Sequence, residues 1–181
     1  SYVAVEPTIE DRTSTIWETT GEFDHETVVE EPTPVFPEGS RLTDRSLYFT
    51  RISPRLLGRF RSSYAGTPNG TLNRTISVSL IVRAVDRQGG DTEFWRTTRR
   101  LNRMTVENVD PEEQITVSFS QNMTSLNNRI DQINEQLGAT VGEIEVLIRT
   151  TVDSQGTVNN RAVNKTNDYT MPVELNENTY R

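Results

Sequence analysis

The single histidine is the first candidate for chemistry, because an imidazole can act as a base or bind a metal near neutral pH. His25 lies between two acidic residues, Asp24 and Glu26. A metal site would need further ligands, and the sequence contains neither an HExxH motif nor an EF-hand loop. We therefore expect His25 to be a partly exposed strand residue, with no metal site and no cofactor.

The sequence offers few residues that could support nucleophilic catalysis. The chain has no cysteine, one histidine and one lysine, Lys165, which excludes Cys–His catalysis and leaves a Ser–Lys pair only a single placement. Neither Gly-x-Ser-x-Gly nor Ser-x-x-Lys occurs. A pair of carboxylates that meet in space would not be visible in the sequence. We expect that the protein is not an enzyme and has no catalytic residues.

Arginines and aromatic residues could instead form a binding surface. The arginines form two clusters, Arg55/Arg59/Arg61 and Arg96/Arg99/Arg100/Arg103. They could dock onto acidic neighbours, but we favour solvated sheet faces with local ion pairs. The aromatic residues interpreted as core or edge packing, rather than a ligand platform, are Trp17, Tyr48, Phe49 and Trp95.

Four Asn-x-Ser/Thr sequons are candidate glycosylation sites. They begin at Asn69, Asn73, Asn122 and Asn164, and none has a proline in the middle. Asn69 is the best candidate because it lies at a predicted turn, where a glycan is easily accommodated. Asn122 is the second, because it precedes a predicted helix. Use of these sites would require export.

Composition limits the environment and the partners. The net charge is −7 and the pI about 4.9, which argues against binding nucleic acid or an anionic membrane surface. The chain has one lysine and 18 arginines, and serine and threonine together number 38. An acidic, lysine-poor, threonine-rich chain is typical of proteins adapted to high salt. No apolar run is long enough to span a bilayer. The start at Ser1 without methionine would fit a removed signal segment, a trimmed anchor or a laboratory expression product.

Alternating apolar residues predict most of the strands. In the best example, residues 72–84, the apolar side chains share one face that is interrupted only by Arg74. The other predicted strands are 23–29, 46–52, 59–64, 92–97, 115–120 and 144–152, followed by an extended stretch over 158–175. The predicted turns are Asn69-Gly70, Gly89-Gly90 and 153–156, of which the first two are hairpin signals.

One helix is predicted over residues 123–137. Its apolar residues Met123, Leu126, Ile130, Ile133 and Leu137 recur at helical spacing. Thr124 or Ser125 could cap its start, and Gly138 could cap its end. Short strands separated by turns predict an all-β fold, an antiparallel β-sandwich of about eight strands with this one helix. Residues 1–20 would be an extended segment, either a donor strand or a stalk, and residues 21–181 a single domain.

Several longer segments carry a family resemblance. These are WETTGEFDH (17–25), LYFTRISP (47–54), FWR (94–96) and LGA (137–139). The chain resembles an uncharacterised family of haloarchaeal cell-surface proteins, a domain of unknown function. The resemblance implies an exported ectodomain behind an amino-terminal membrane segment, often with a second one at the carboxyl end. Such proteins tend to be encoded near signal-peptidase-like genes, as are secreted β-sandwich fibre subunits. This sequence lacks both hydrophobic segments, which leaves anchored and released forms open.

The leading hypothesis is an extracellular filament or pilus subunit that forms a homopolymer. Residues 1–16 contain strand-forming side chains but no partner strand nearby in sequence, so they could complete the open sheet edge of another copy. The residues expected to mediate this donor-strand assembly are Tyr2, Val3, Ala4, Val5, Ile9, Ile16 and Trp17.

The alternative hypothesis is a monomeric ectodomain of a membrane-anchored archaeal surface protein that binds an unknown partner. Its first residues would then be a stalk or the first strand of its own sandwich, and pairing in cis would argue against strand donation. Other cell-surface proteins are possible partners. Nucleic acid is not expected, and a membrane would be contacted only through a removed or absent hydrophobic segment.

Overall fold

The computed structural model describes residues 3–10, 17–44, 47–50, 53–66, 70–88, 92–158, 161–176 and 179–181. Within these ranges the strands are β1 (Val3–Glu10), β2 (Trp17–Val28), β3 (Arg41–Thr43), β4 (Tyr48–Phe49), β5 (Arg55–Gly66), β6 (Gly70–Asp86), β7 (Thr92–Val109), β8 (Ile115–Asn122), β9 (Glu143–Val158), β10 (Arg161–Val173) and β11 (Thr179–Tyr180). The helix is α1 (Met123–Leu137). An all-β sandwich with one helix confirms the predicted fold class.

The strands form two antiparallel sheets that enclose the core. One sheet has the order β1-β2-β5-β8, with β3 also paired to β2, and the other has the order β10-β9-β6-β7. A short ribbon joins β4 to β11. Side chains alternate between the core and solvent, as in β8, where Ile115, Val117 and Phe119 are buried and the residues between them are exposed.

Aromatic rings connect the two sheets. The ring of Phe60 lies 4.9 Å from that of Phe23 in its own sheet and 5.2 Å from that of Tyr169 in the other, measured between centroids. Phe119 packs directly over Gly58 of the neighbouring strand, and a Cβ atom at Gly58 would come within 2.2 Å of its ring. The close packing of this ring therefore requires glycine at position 58.

The amino-terminal segment is part of the sandwich and pairs with the next strand along the chain, so the expectation that it has no partner strand nearby in sequence is wrong. β1 pairs with β2 from Val3 opposite Phe23 to Glu10 opposite Trp17, with an irregularity between Val5 and Thr8. The predicted domain boundary at residue 20 falls inside β2. The partner was missed because residues 11–16 contain no glycine, proline or asparagine that would signal a turn.

One of the two hairpin predictions is wrong and one is confirmed. β5 and β6 belong to different sheets, so the chain passes from one sheet to the other between Gly66 and Gly70 rather than forming a hairpin. β6 and β7 do form a hairpin, which closes with Asp86 opposite Thr92. Asn69, Gly89 and Gly90 lie outside the described residues.

Strand lengths also differ from the prediction. β7 has 18 residues and continues to Val109, well past residue 97. β9 runs through the predicted turn at 153–156, because these residues pair with β6 on one side and β10 on the other. Pairing on both edges outweighs local turn propensity. By contrast, the predicted strand at 46–52 is reduced to Tyr48 and Phe49 in the described part of that segment.

The helix has the predicted bounds and covers the core with its first half. Met123, Leu126 and Ile130 are buried, whereas Leu137 is 57% exposed. Its N-cap is Asn122 rather than Thr124 or Ser125, since the Asn122 side chain accepts a hydrogen bond from the Ser125 backbone N–H. Gly138 adopts the predicted left-handed C-cap, with φ of 70°. Among the described residues, no helix has the length and apolar composition needed to cross a bilayer.

Candidate interaction surface

His25 occupies a structural position beside an aromatic cluster. Its Nδ1 and the Tyr48 hydroxyl form a hydrogen bond of 2.8 Å, and its backbone N–H donates to Asp44 at 3.1 Å. A cavity of about 70 Å³ lies beside these rings and Tyr180. Within the part of the chain that the structure describes, no group of His, Asp and Glu side chains could hold a metal ion. The contacts of His25 are therefore those of a packed strand residue.

The first arginine cluster forms ion pairs on the outer face of the five-stranded sheet. The nearly buried carboxylate of Asp24 contacts Arg59 at 3.2 Å and Arg61 at 2.7 Å. Arg61 also lies 3.7 Å from Glu22. For Arg59 and Arg61, the interpretation as a sheet face with local ion pairs is confirmed.

The second arginine cluster lies on β7, which is an edge strand. Within the described residues β7 pairs with β6 alone, so its other edge belongs to no ladder. Arg96 pairs with Glu93 at 2.9 Å, and Arg99 donates to the Gln121 side chain. Arg100 and Arg103 are exposed and form no ion pair with a described residue. Local ion pairs therefore explain only part of this cluster.

A broad groove borders β7 on the side of the five-stranded sheet. We name it the sheet groove; it has a volume of about 590 Å³ and is lined by Glu26, residues 57–59, residues 118–120, Leu101 and Asn102. The Asn102 side chain donates to the Ser118 backbone oxygen at 2.6 Å, which ties β7 to β8 across the two sheets. Leu101 gives this groove an apolar wall.

A second groove borders β7 on the side of the helix. We name it the helix groove; its volume is about 490 Å³, and its walls are residues 97–99 of β7 and the first half of α1. Arg99 and Arg129 contribute positive charge from opposite walls, and Leu80, Val82 and Leu126 contribute apolar surface. β7 thus separates two concave surfaces, and together they form what we call the β7 surface.

The β7 surface is locally basic in an acidic protein. Arg59, Arg99 and Arg129 line the grooves, and Arg100 and Arg103 are exposed on the same strand. Glu26, the acidic residue in the sheet groove, is engaged by Arg41 at 2.8 Å. Phe94 and Met104, which are 48% and 37% exposed, add apolar area along the same strand.

The residues predicted to mediate strand donation are used within the chain. Val3, Ala4, Val5 and Ile9 belong to β1 and are paired to β2, and Trp17 pairs with Gly66 of β5. Tyr2 and Ile16 lie outside the described residues. Pairing in cis argues against donation of this strand to another copy.

Three of the four sequons lie within the described residues. Asn73 and Asn164 are exposed, and Asn122 is half-buried. The side-chain oxygen of Asn73 accepts from the Asn108 backbone N–H, and that of Asn122 caps the helix. In both residues the Nδ2 atom, to which a glycan attaches, does not take part in these hydrogen bonds.

The full extent of β7 was missed in the sequence, although a signal was present. Residues 92–109 contain no glycine or proline, so nothing ends the strand at residue 97. The strand lacks clean apolar alternation because most of its side chains on both faces are exposed or half-buried.

Comparison with known proteins gives a partial family match. Residues 95–181, from within β7 to the carboxyl end, match the model of a family of unknown function (DUF5305). No curated protein has a sequence significantly similar to this chain. The crystal structure of Spo0M, a sporulation control protein from Bacillus subtilis, has a TM-score of 0.33 and 18% identity, covering 83% of this chain and 48% of that chain. The chain thus spans about half the length of that protein, and a likeness this weak carries no functional inference.

Proposed function

We propose that this chain is a non-enzymatic β-sandwich binding module that docks an extended, acidic segment of a partner protein along β7. The observation that carries the proposal is the second edge of β7, which pairs with no strand of the described chain and is bordered by two grooves. A strand edge offers backbone donors and acceptors to an added strand, and flanking pockets select its side chains.

Charge complementarity favours an acidic occupant. Charged side chains along an edge deter unselective strand pairing, so a partner must bring compensating charges. Arg100 and Arg103 have no acidic partner among the described side chains. An extended segment with acidic residues at alternate positions would satisfy both the backbone edge and these guanidinium groups.

We place this module outside the cell, as an anchored or released archaeal surface domain adapted to high salt. The four sequons, the acidic composition and the preference for arginine over lysine support this environment. In high salt, surface charges are screened within a few ångströms, so backbone hydrogen bonds would supply the affinity and the arginines the selectivity.

Binding of a designed peptide tests the docking site. The probe is a fluorescein-labelled peptide of about twelve residues with alternating glutamate and threonine, and its lysine–threonine counterpart is the negative control. Arg100→Glu/Arg103→Glu converts two exposed attractions of about 0.5 kcal/mol each into repulsions, so affinity should fall at least tenfold. Hydrogen exchange should show that the acidic peptide protects β7 amides.

The matched control reverses one charge elsewhere. Arg181 is exposed and pairs with Glu174 just after β10, at the opposite edge of the four-stranded sheet. Arg181→Glu should bind the acidic peptide like the wild type, whereas Arg100→Glu alone should weaken binding. Binding that ignores Arg100 and Arg103, or leaves β7 amides unprotected, would exclude this docking site.

Self-assembly is the second candidate function, favoured by the position of β1. β1 is an edge strand whose hydrogen-bonded neighbour in the described chain is β2 alone. Because β1 is already paired to β2 in its own chain, donor-strand assembly would require exchange of β1 between copies. Negative-stain images and light scattering of the wild type and of a variant lacking residues 1–16 test this mechanism. Polymers that persist without these residues would exclude β1 exchange, and polymers lost on reversal of Arg100 and Arg103 would make β7 the self-contact.

A further inference from the structure

Arg74 places a charged side chain in the core between the two sheets. It is the residue that interrupts the apolar face of β6, and it is 0% exposed. Its Nη2 donates to the Thr19 hydroxyl at 2.8 Å and its Nε to the Ser154 hydroxyl at 3.3 Å. The guanidinium carbon lies 5.8 Å from the centre of the Tyr64 ring.

The positive charge of Arg74 is not neutralised by the described chain. Its hydrogen-bond partners are uncharged hydroxyls, and no ion pair joins it to a described carboxylate. Burial lowers the pKa of Arg74, while electrostatic interactions with Tyr169 and Tyr64 oppose this effect. Because arginine stays protonated in proteins, a buried charge without a counter-charge is costly.

Arg74 shares the core with other buried polar atoms that lack hydrogen-bond partners in the described chain. Within the described residues, the Nη1 atom of Arg74 has no hydrogen-bond partner, and neither do the hydroxyls of Tyr169 and Thr150. Tyr169 and Thr150 are opposite each other on β10 and β9, whose core-facing side chains share this interior with Arg74. The Asn167 amide, whose oxygen also lacks a partner, could rotate to present its NH₂ group.

We propose that Arg74 binds a monovalent, single-atom anion of chloride size between the sheets, held by Nη1 of Arg74 and the hydroxyl of Tyr169. A guanidinium and hydroxyl donors are suited to an anion that only accepts hydrogen bonds. We assign a single-atom anion because the core nearby is closely packed: a Cβ atom at Gly21 would lie 2.6 Å from the Phe60 ring and 2.9 Å from the Tyr169 ring. Sulfate, phosphate and carboxylate ligands are larger and are not expected there.

Anion exchange at constant ionic strength tests the site. The melting temperature of the wild type should rise saturably as chloride replaces gluconate, because a ligand that binds only the folded state stabilises it. Bromide should act similarly. The ³⁵Cl resonance should broaden in the presence of wild-type protein, and excess bromide should reverse the broadening.

Matched variants assign the effect to Arg74. Arg74→Gln should abolish the chloride response, and Tyr169→Phe should weaken it several-fold. Arg83 lies on the same strand but pairs with Glu145 at 2.9 Å, so Arg83→Gln should keep the response.

Three results would overturn the proposal: equal melting temperatures in chloride and gluconate, no ³⁵Cl broadening, or a response that Arg74→Gln retains. The first two would mean that water alone satisfies these donors. Both are measured on the wild type, so the test stands even if Arg74→Gln fails to fold.

Discussion

Alkaline pH should destabilise the protein through Tyr180, the residue that fastens the carboxyl end to the sandwich. Tyr180 is fully buried, lies opposite Tyr48 in the β4–β11 ribbon, and donates a hydrogen bond of 2.6 Å to the Ser53 backbone oxygen. Burial raises the pKa of this phenol from 10.0 to about 12, with Tyr48 and Glu30 acting in the same direction and the hydrogen bond with Thr27 opposing them.

The size and sign of the effect follow from proton linkage. A tyrosine whose pKa is raised on folding contributes its full stabilisation below pH 10, and this is lost as pH rises toward 12. In that window the folded state keeps a proton that the unfolded state has released, so stability falls by about 1.4 kcal/mol per pH unit. Two pH units correspond to about 3 kcal/mol.

Urea unfolding from pH 8 to 12, with and without Tyr180→Phe, measures this loss. At pH 8 the variant should be less stable by about 1–3 kcal/mol, because the Ser53 oxygen loses its buried donor. Burial also raises the pKa of Tyr64, which adds a similar slope to both proteins. The difference between the two proteins therefore isolates Tyr180.

The two stability curves should converge between pH 10 and 12, because the variant lacks the titrating phenol. Parallel curves, with the same loss in both proteins, would refute the reasoning. They would mean that Tyr180 ionises as easily in the folded state as in the unfolded chain.

Three other predictions concern the helix, the sequons and salt. Ile130→Asp should lower the free energy of unfolding by about 3 kcal/mol, since it buries an unpaired charge. The same change at the exposed Leu137 should lower it by less than about 0.5 kcal/mol. Equal losses of the two variants in urea unfolding would contradict the packing of α1. Intact-mass spectrometry of natively purified protein should show a glycan on at least one sequon, and the bare peptide mass would reject it. The melting temperature should rise modestly from low salt to molar NaCl, because 26 acidic residues oppose 19 basic ones; an unchanged value would exclude salt adaptation.

The helix and the inner strands could be predicted because their signals are local. The apolar spacing of α1 and the glycine after it define the helix without reference to the rest of the chain. In the same way, alternation over 115–120 anticipates the burial of β8 residue by residue. These segments have one face in the core and one in solvent, so the spacing of their apolar residues is visible in their own sequence.

The remaining features depend on distant partners. β1 pairs with β2 across a connection that contains no glycine, proline or asparagine. β9 continues through a turn-like segment because strands pair on both its edges. β7 is exposed on much of both faces, so its composition lacks the strand pattern. Arg74 was visible as a break in an apolar face, but its burial requires both sheets.

Among the described arginines without an ion pair to a described carboxylate, Arg74 is buried in the core and Arg100 and Arg103 are exposed on β7. Acidic residues outnumber basic ones, and many arginines form ion pairs with them. The arginines with ion pairs in the described chain include Arg41, Arg59, Arg61, Arg83, Arg87, Arg96 and Arg181. Arg74 is buried among hydroxyls, at the site proposed for a small anion. Arg100 and Arg103 are exposed on β7, whose second edge is unpaired in the described chain, and they are the charges proposed to attract an acidic strand. The two sites have opposite exposure, so chloride replacement should leave peptide binding at β7 unchanged at constant ionic strength, and reversal of Arg100 and Arg103 should leave the chloride response intact.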